Sequence, residues 1–226
     1  MGWVLGFLAA LAVGLLWQSA GSSTARARDR AGYLADCLPL FINPIQAVAE
    51  TGFARVSGMY RGQMFDIQVV PDSLSVRKLP CLWLLVTLPE PLGQQGTVDV
   101  MLRATGLETF SRFSSLPDQI AVPDGFPDMC TIRTDTPDAL PLPSVVGQYL
   151  TGLDQTRLKE LVVAPTGLRV VWLAQEADRG RYLLFRDAEL GALALDPLVL
   201  APLMDGLCAL WADVMAGAGP KTWVTG

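Results

Sequence analysis

Histidine is missing from all 226 residues. That removes the side chain whose ordinary pKa lies nearest physiological pH, and with it the histidine-based triads and dyads and the imidazole ligands of zinc, haem and chlorophyll-type pigments. Cysteine is scarce. Cys37, Cys81, Cys130 and Cys208 form no C-x-x-C pair, so no zinc or thiol-redox motif is present. Each has apolar neighbours and reads as a reduced thiol packed like a small hydrophobe. A pair of disulfides is the competing reading, and it requires the oxidising side of a membrane. A basic tail and an arginine-aromatic stripe are also missing, and the net charge is -5. Binding nucleic acid requires cations against phosphate, so no nucleic-acid partner is expected. No glycine-rich phosphate loop and no metal-ligand spacing occurs. The expectation is therefore no cofactor, no catalytic residue and no metal site.

Charge is missing altogether from the start of the chain. Arg26 is the first ionisable side chain, and Met1 to Trp17 contain no proline. With Gln18 to Gly21 this stretch makes a helix about 30 Å long, which matches the hydrocarbon thickness of a bilayer. Trp3 and Trp17 are then the membrane-interface anchors. A cleaved signal peptide fits less well, because no Lys or Arg precedes the apolar run and Gln18 stands where a small residue is wanted. Arg26, Arg28 and Arg30 follow the helix and set its topology. The positive-inside rule puts the N-terminus outside and the rest in the cytoplasm, at a bacterial inner membrane crossed once. Gly2, Gly6, Ala10 and Gly14 recur every fourth residue, a small-residue face that lets another helix approach closely. The expected partners are the lipid bilayer and a transmembrane helix of another membrane protein.

The remainder has the apolar content of an ordinary globular domain. The expected organisation is a transmembrane helix at 1–21, a charged connector at 22–36, an α+β domain at 37–216 and a tail at 217–226. The sheet is expected to be mixed and mainly antiparallel. Segment 37–53, with Pro39 and Pro44, reads as irregular chain. Segments 54–60 and 64–71 flank Arg61-Gly62 and read as a hairpin. Segment 81–88 is apolar on both faces and reads as a central strand. Segments 97–104 and 129–133 read as further strands. Between them, 105–127 is a proline-rich and glycine-rich loop, a candidate sub-boundary between two related halves. A short helix is expected from Ser144, with Gly152 as its stop. Segments 161–164, 169–175 and 181–186 read as three strands, and 201–216 as an amphipathic helix with Leu203, Leu207, Leu210, Trp211 and Val214 on one face.

Three clusters were weighed for chemistry. Ser75-Val-Arg-Lys78 matches the S-x-x-K spacing of acylating serine enzymes, but it lies between prolines and lacks the companion motifs. Thr134-Asp-Thr-Pro-Asp138 holds two carboxylates and two hydroxyls, which turn and cap chemistry explains. Asp178, Arg179, Arg181, Arg186 and Asp187 read as cross-strand ion pairs on the hairpin before the last helix. Through Arg-Gly-Arg-Tyr-Leu-Leu-Phe-Arg-Asp187 and the helix that follows it, the second half of the chain resembles bacterial membrane-anchored proteins of unassigned function. That resemblance implies no activity and no site residue.

These observations lead to the expectation of a non-catalytic accessory or scaffold subunit, anchored by one helix in a bacterial membrane complex. An energy-transducing complex, respiratory or photosynthetic, is one setting. Two alternatives stand beside it. A membrane-anchored enzyme using carboxylate or cysteine chemistry predicts a strongly shifted carboxylate or thiol. An envelope-side interaction domain predicts disulfides.

Overall fold

Alternating apolar residues and a tight turn start the sheet. Arg61 and Gly62 both take positive φ, 49° and 85°, as the twist-compatible two-residue hairpin turn requires. They join β2 (Ala54–Tyr60) to β3 (Gln63–Asp72). The computed structural model describes residues 23–72, 79–104, 108, 110–137, 141, 143–185 and 188–217. The expected membrane helix, with Gly2, Trp3, Gly6, Ala10, Gly14 and Trp17, lies outside the described residues. So do Ser75, Lys78, Asp138, Arg186 and Asp187.

The other strands are β1 (Ile42–Val48), β4 (Cys81–Leu88), β5 (Val98–Leu102), β6 (Asp118–Ile120), β7 (Cys130–Thr134), β8 (Leu158–Ala164) and β9 (Gly167–Glu176). They form one sheet in the order β1-β2-β3-β4-β9-β8-β5-β7-β6, with every pairing antiparallel. The expected α+β class with a largely antiparallel sheet and a closing helix is what forms. β4 is central, as its apolar residues on both faces imply: Leu82, Leu84, Leu85, Val86 and Leu88 are all buried. The β8–β9 turn is held against the end of β4. Gly167 has φ +140°, and a Cβ there would sit 2.2 Å from the Leu88 carbonyl oxygen, so only glycine fits.

One face of the sheet holds the main core. Val56, Phe65, Ile67, Leu84, Val86, Val170, Leu161 and Val100 lie on it, paired strand to strand. Helix α2 (Pro143–Thr151) and helix α4 (Pro197–Ala216) belong to the same core. α4 buries Leu200, Leu203, Met204, Leu207, Leu210 and Val214. By length and composition it could cross a membrane, yet it contacts β4, β9 and α2, which is how the core helix of a globular domain behaves. Gly206 lets α2 approach, since a Cβ there would meet Tyr149 Cε2 at 2.9 Å.

Four boundaries differ from the sequence expectation. α4 begins at Pro197 rather than 201, because proline is tolerated in the first turn and the Asp196 side chain accepts from the Leu198 N–H. The segment expected to be irregular contains a 3-10 helix, Ala35–Leu40, and strand β1. Pro44 is compatible with β1 because the strand is at the edge and bulged there, with Asn43 at φ 52°. Part of the expected loop 105–127 forms a 3-10 turn, Phe113–Ser115, and β6, which joins the same sheet. The fourth difference is the largest. The expected strand 181–186 is helix α3 (Arg179–Phe185). Both edges of β9 are already paired, with β4 and β8, so the chain after it has no free β9 edge to fold back on. The chain turns, and Asp178 caps a helix by accepting from the Arg181 N–H at 2.7 Å.

Residues 23–31 form helix α1, exposed along residues 23–30. It carries Arg26, Arg28 and Arg30.

Candidate functional site

The second face of the sheet contains charge where charge is costly. Asp99 on β5 and Glu160 on β8 are 2% and 1% exposed. Asp99 pairs across with Val162, and Met101 with Glu160, so both carboxyls point to the face away from α4. Arg169 of β9 lies opposite Val162 and on the same face. Its Nε donates to Thr87 Oγ1 on β4 at 3.1 Å.

A strap that includes residues 103, 104, 108 and 110–117 helps to cover this face. Its Phe110 ring lies 5.6 Å from Trp83 on β4. Its Ser111 hydroxyl donates to Glu160 Oε1. Its Phe113 ring sits beneath the Arg133 guanidinium of β7 at 5.7 Å, and Arg133 also donates to the Leu116 carbonyl. Lys159 ties down the start of the strap. Its ammonium donates to the carbonyls of Leu102 and Arg103 and to Glu108 Oε1, at 3.1, 2.9 and 2.8 Å. All three donors of the lysine are therefore used, and both members of the Lys159–Glu108 pair are almost fully buried.

The two carboxyls divide one proton between them. Burial first, then the charge of Glu160 and their mutual hydrogen bond, push Asp99 up to about 9, while Arg169 pulls the other way. Burial also raises Glu160, but hydrogen bonds from Ser111 and Asp99 and the charges of Arg169 and Lys159 oppose the rise. The mutual bond thus favours a protonated Asp99 donating to an ionised Glu160. Asp99 Oδ1 has no hydrogen-bond partner among the described residues. The arrangement holds a proton at neutral pH and supports the strap. With the strap in place, both carboxyls are shielded from solvent.

The sequence signal for this pair was a carboxylate inside an apolar strand, in Val98-Asp-Val-Met-Leu102 and in Leu158-Lys-Glu-Leu-Val162. Neither position stands out in the sequence, since a lone charge in a strand says nothing about its partner.

Of the clusters that stand out in the sequence, the parts among the described residues have structural roles. Thr134 is buried, and its Oγ1 accepts from the Thr136 N–H, while Asp135 accepts from the Thr97 N–H. That is the expected turn chemistry. Asp178 caps α3, and Arg181 pairs with Glu189 rather than across a hairpin. None of the four cysteines forms a disulfide. Cys37 donates its thiol hydrogen to the Leu195 carbonyl at 3.3 Å, and burial raises its pKa to about 12. A nucleophilic thiol needs the opposite shift.

A further feature is at the sheet's edge. β1 is exposed at every residue and, among the described residues, pairs only with β2. Ile42 and Ile45 are 64% and 72% exposed.

No family model matches the chain, and no curated protein does. Among solved structures, the chain is similar to the mycobacterial trehalose monomycolate transport factor A. The likeness has a TM-score of 0.35 and 10% identity over 74% of each chain. It is too slight to carry an argument about fold or role.

Proposed function

We propose that the protein is a membrane-tethered, non-catalytic accessory subunit that docks another polypeptide by strand addition along β1. Residues 1–21 form the tether. The Gly2, Gly6, Ala10 and Gly14 face receives a partner helix, and Arg26, Arg28 and Arg30 hold the domain on the cytoplasmic side of a bacterial inner membrane.

One observation carries this reading: the two edges of the sheet are treated differently. Free edges offer unpaired backbone groups and are normally blunted by charge, proline, bulges or shortness. β6 has three residues and begins with Asp118. β1 has seven residues and no charged side chain, and its bulge and Pro44 protect only the first half. Ile45 to Val48 remain as a neutral, accessible strand able to accept another.

The test is gentle solubilisation of the full chain and identification of what co-purifies. Ile45→Lys removes the partner while leaving the fold intact, since Ile45 is exposed. Gly6→Leu with Gly14→Leu weakens the same association through the tether. A wild-type protein that runs as a lone monomer sinks the proposal, as does full retention of the partner in both variants.

The Asp99–Glu160 pair favours a second reading, a membrane-anchored enzyme using carboxylate chemistry. That reading requires the strap to open. It predicts that Asp99→Asn abolishes an activity without loosening the strap.

A further inference from the structure

Four of the large apolar side chains left exposed on this domain lie on segments that meet the C-terminal end of α1. Leu183 and Leu184 on α3 are 58% and 78% exposed, Leu193 is 81% and Leu198 at the start of α4 is 79%. Several contacts bring these segments to the foot of α1. Arg30 lies over the Phe53 ring at 5.6 Å. A Cβ on Gly191 would sit 2.7 Å from Phe53 and 3.5 Å from Arg30 Cγ. The Leu195 N–H donates to the Tyr33 carbonyl at 2.7 Å, and Arg181 of α3 pairs with Glu189.

The exposure of Leu193 is built in. Leu190 and Leu195 on either side are buried, at 9% and 4%. Gly191 takes φ +82° and donates to Gln175 Oε1 at 2.9 Å, which fixes the loop. The loop therefore presents Leu193 outward from a pinned backbone.

We infer that this corner of the domain rests on the surface of a bilayer bearing anionic headgroups, with Leu183, Leu184, Leu193 and Leu198 entering the interface. Two features favour lipid over a protein partner. Residues 1–22, which carry no charged side chain, lead directly into α1. α1 itself carries Arg26, Arg28 and Arg30 against a single Asp29, a local positive balance in a chain of net charge -5. Among the nearby anions, Asp178 and Asp196 cap helices and Glu189 pairs with Arg181, while Asp36 stays exposed beside Cys37. An apolar patch beside arginines is what an interfacial surface needs. The inference rests on the tether proposed above, and it leaves β1 free for a partner.

The experiment uses the full chain reconstituted into nanodiscs of phosphatidylcholine alone or with phosphatidylglycerol. Backbone hydrogen exchange is followed over 179–185 and 188–198. Expected is incorporation into both discs, with exchange over 188–198 slowed about tenfold or more in the anionic discs, the scale set by the attraction of the arginines to anionic headgroups. Leu193→Ser with Leu198→Ser abolishes the slowing, and Arg26→Gln with Arg28→Gln reduces it. Both pairs are exposed, so folding is unaffected. Failure to incorporate overturns the tether and this inference together. Incorporation with no slowing overturns the inference alone. Slowing that survives the leucine substitutions, or that needs a co-purified protein, also overturns it.

Discussion

Lys159→Met tests whether the buried ion pair fastens the strap to the sheet. Methionine keeps most of the length and apolar volume and removes the charge. The Glu108 carboxylate, whose side chain is 8% exposed, then loses the ammonium 2.8 Å away. The carbonyls of Leu102 and Arg103 lose the same donor. Removing one partner of a buried pair typically costs about 3–5 kcal/mol, because the remaining charge is stranded. For a domain of this size each kcal/mol lowers Tm by about 2–4 °C, so a fall of about 6–20 °C is expected. Thermal unfolding followed by circular dichroism on the solubilised chain reads it. Lys159→Met combined with Glu108→Leu removes both charges and restores more than half of the loss, leaving the two carbonyls as the residual deficit of about 1–3 kcal/mol. A single variant within about 1 kcal/mol of wild type refutes the reasoning. So does a double variant no more stable than the single one.

The Asp99–Glu160 pair gives stability a pH dependence of definite sign. Asp99 binds its proton more tightly folded than unfolded, so stability is full below about pH 4 and declines as pH rises toward about 9, by at most about 1.4 kcal/mol per unit. Asp99→Asn flattens that decline, and parallel Tm profiles for the two proteins rule the proton-sharing pair out. Gly167→Ala drives a Cβ to 2.2 Å from the Leu88 oxygen and should cost more than about 3 kcal/mol. Gly52→Ala is the control: its φ is +81° with nothing within 4 Å, so only the left-handed strain of about 1–2 kcal/mol applies. Similar urea midpoints for those two variants would show that the turn yields. Asp178→Ala removes the α3 cap and should cost about 1 kcal/mol locally, read as faster amide exchange in 179–185; unchanged exchange contradicts the capping role.

Local sequence rules were legible wherever one rule acted alone. Arg61-Gly62 between alternating runs specified its hairpin, and the apolar spacing of Leu203, Leu207, Leu210 and Val214 specified the buried face of α4. The rules misled where a local pattern met a tertiary limit. Tyr182 to Phe185 looks like a strand, but β4 and β8 already occupy both edges of the strand before it. Pro44 argues for loop, yet an edge strand tolerates a missing N–H.

The sequence by itself determined the absence of histidine chemistry, the uncharged start of the chain, the α+β class and most strand positions. These follow from residue chemistry and from periodicity within a single segment. Only the tertiary structure decided that β5 lies between β8 and β7, and that decision places Asp99 beside Glu160. It also decided which edge stays open and gathered Leu193, Leu198 and α3 at the foot of α1. Strand order is set by the collective burial of side chains distant in sequence, and no local pattern encodes it.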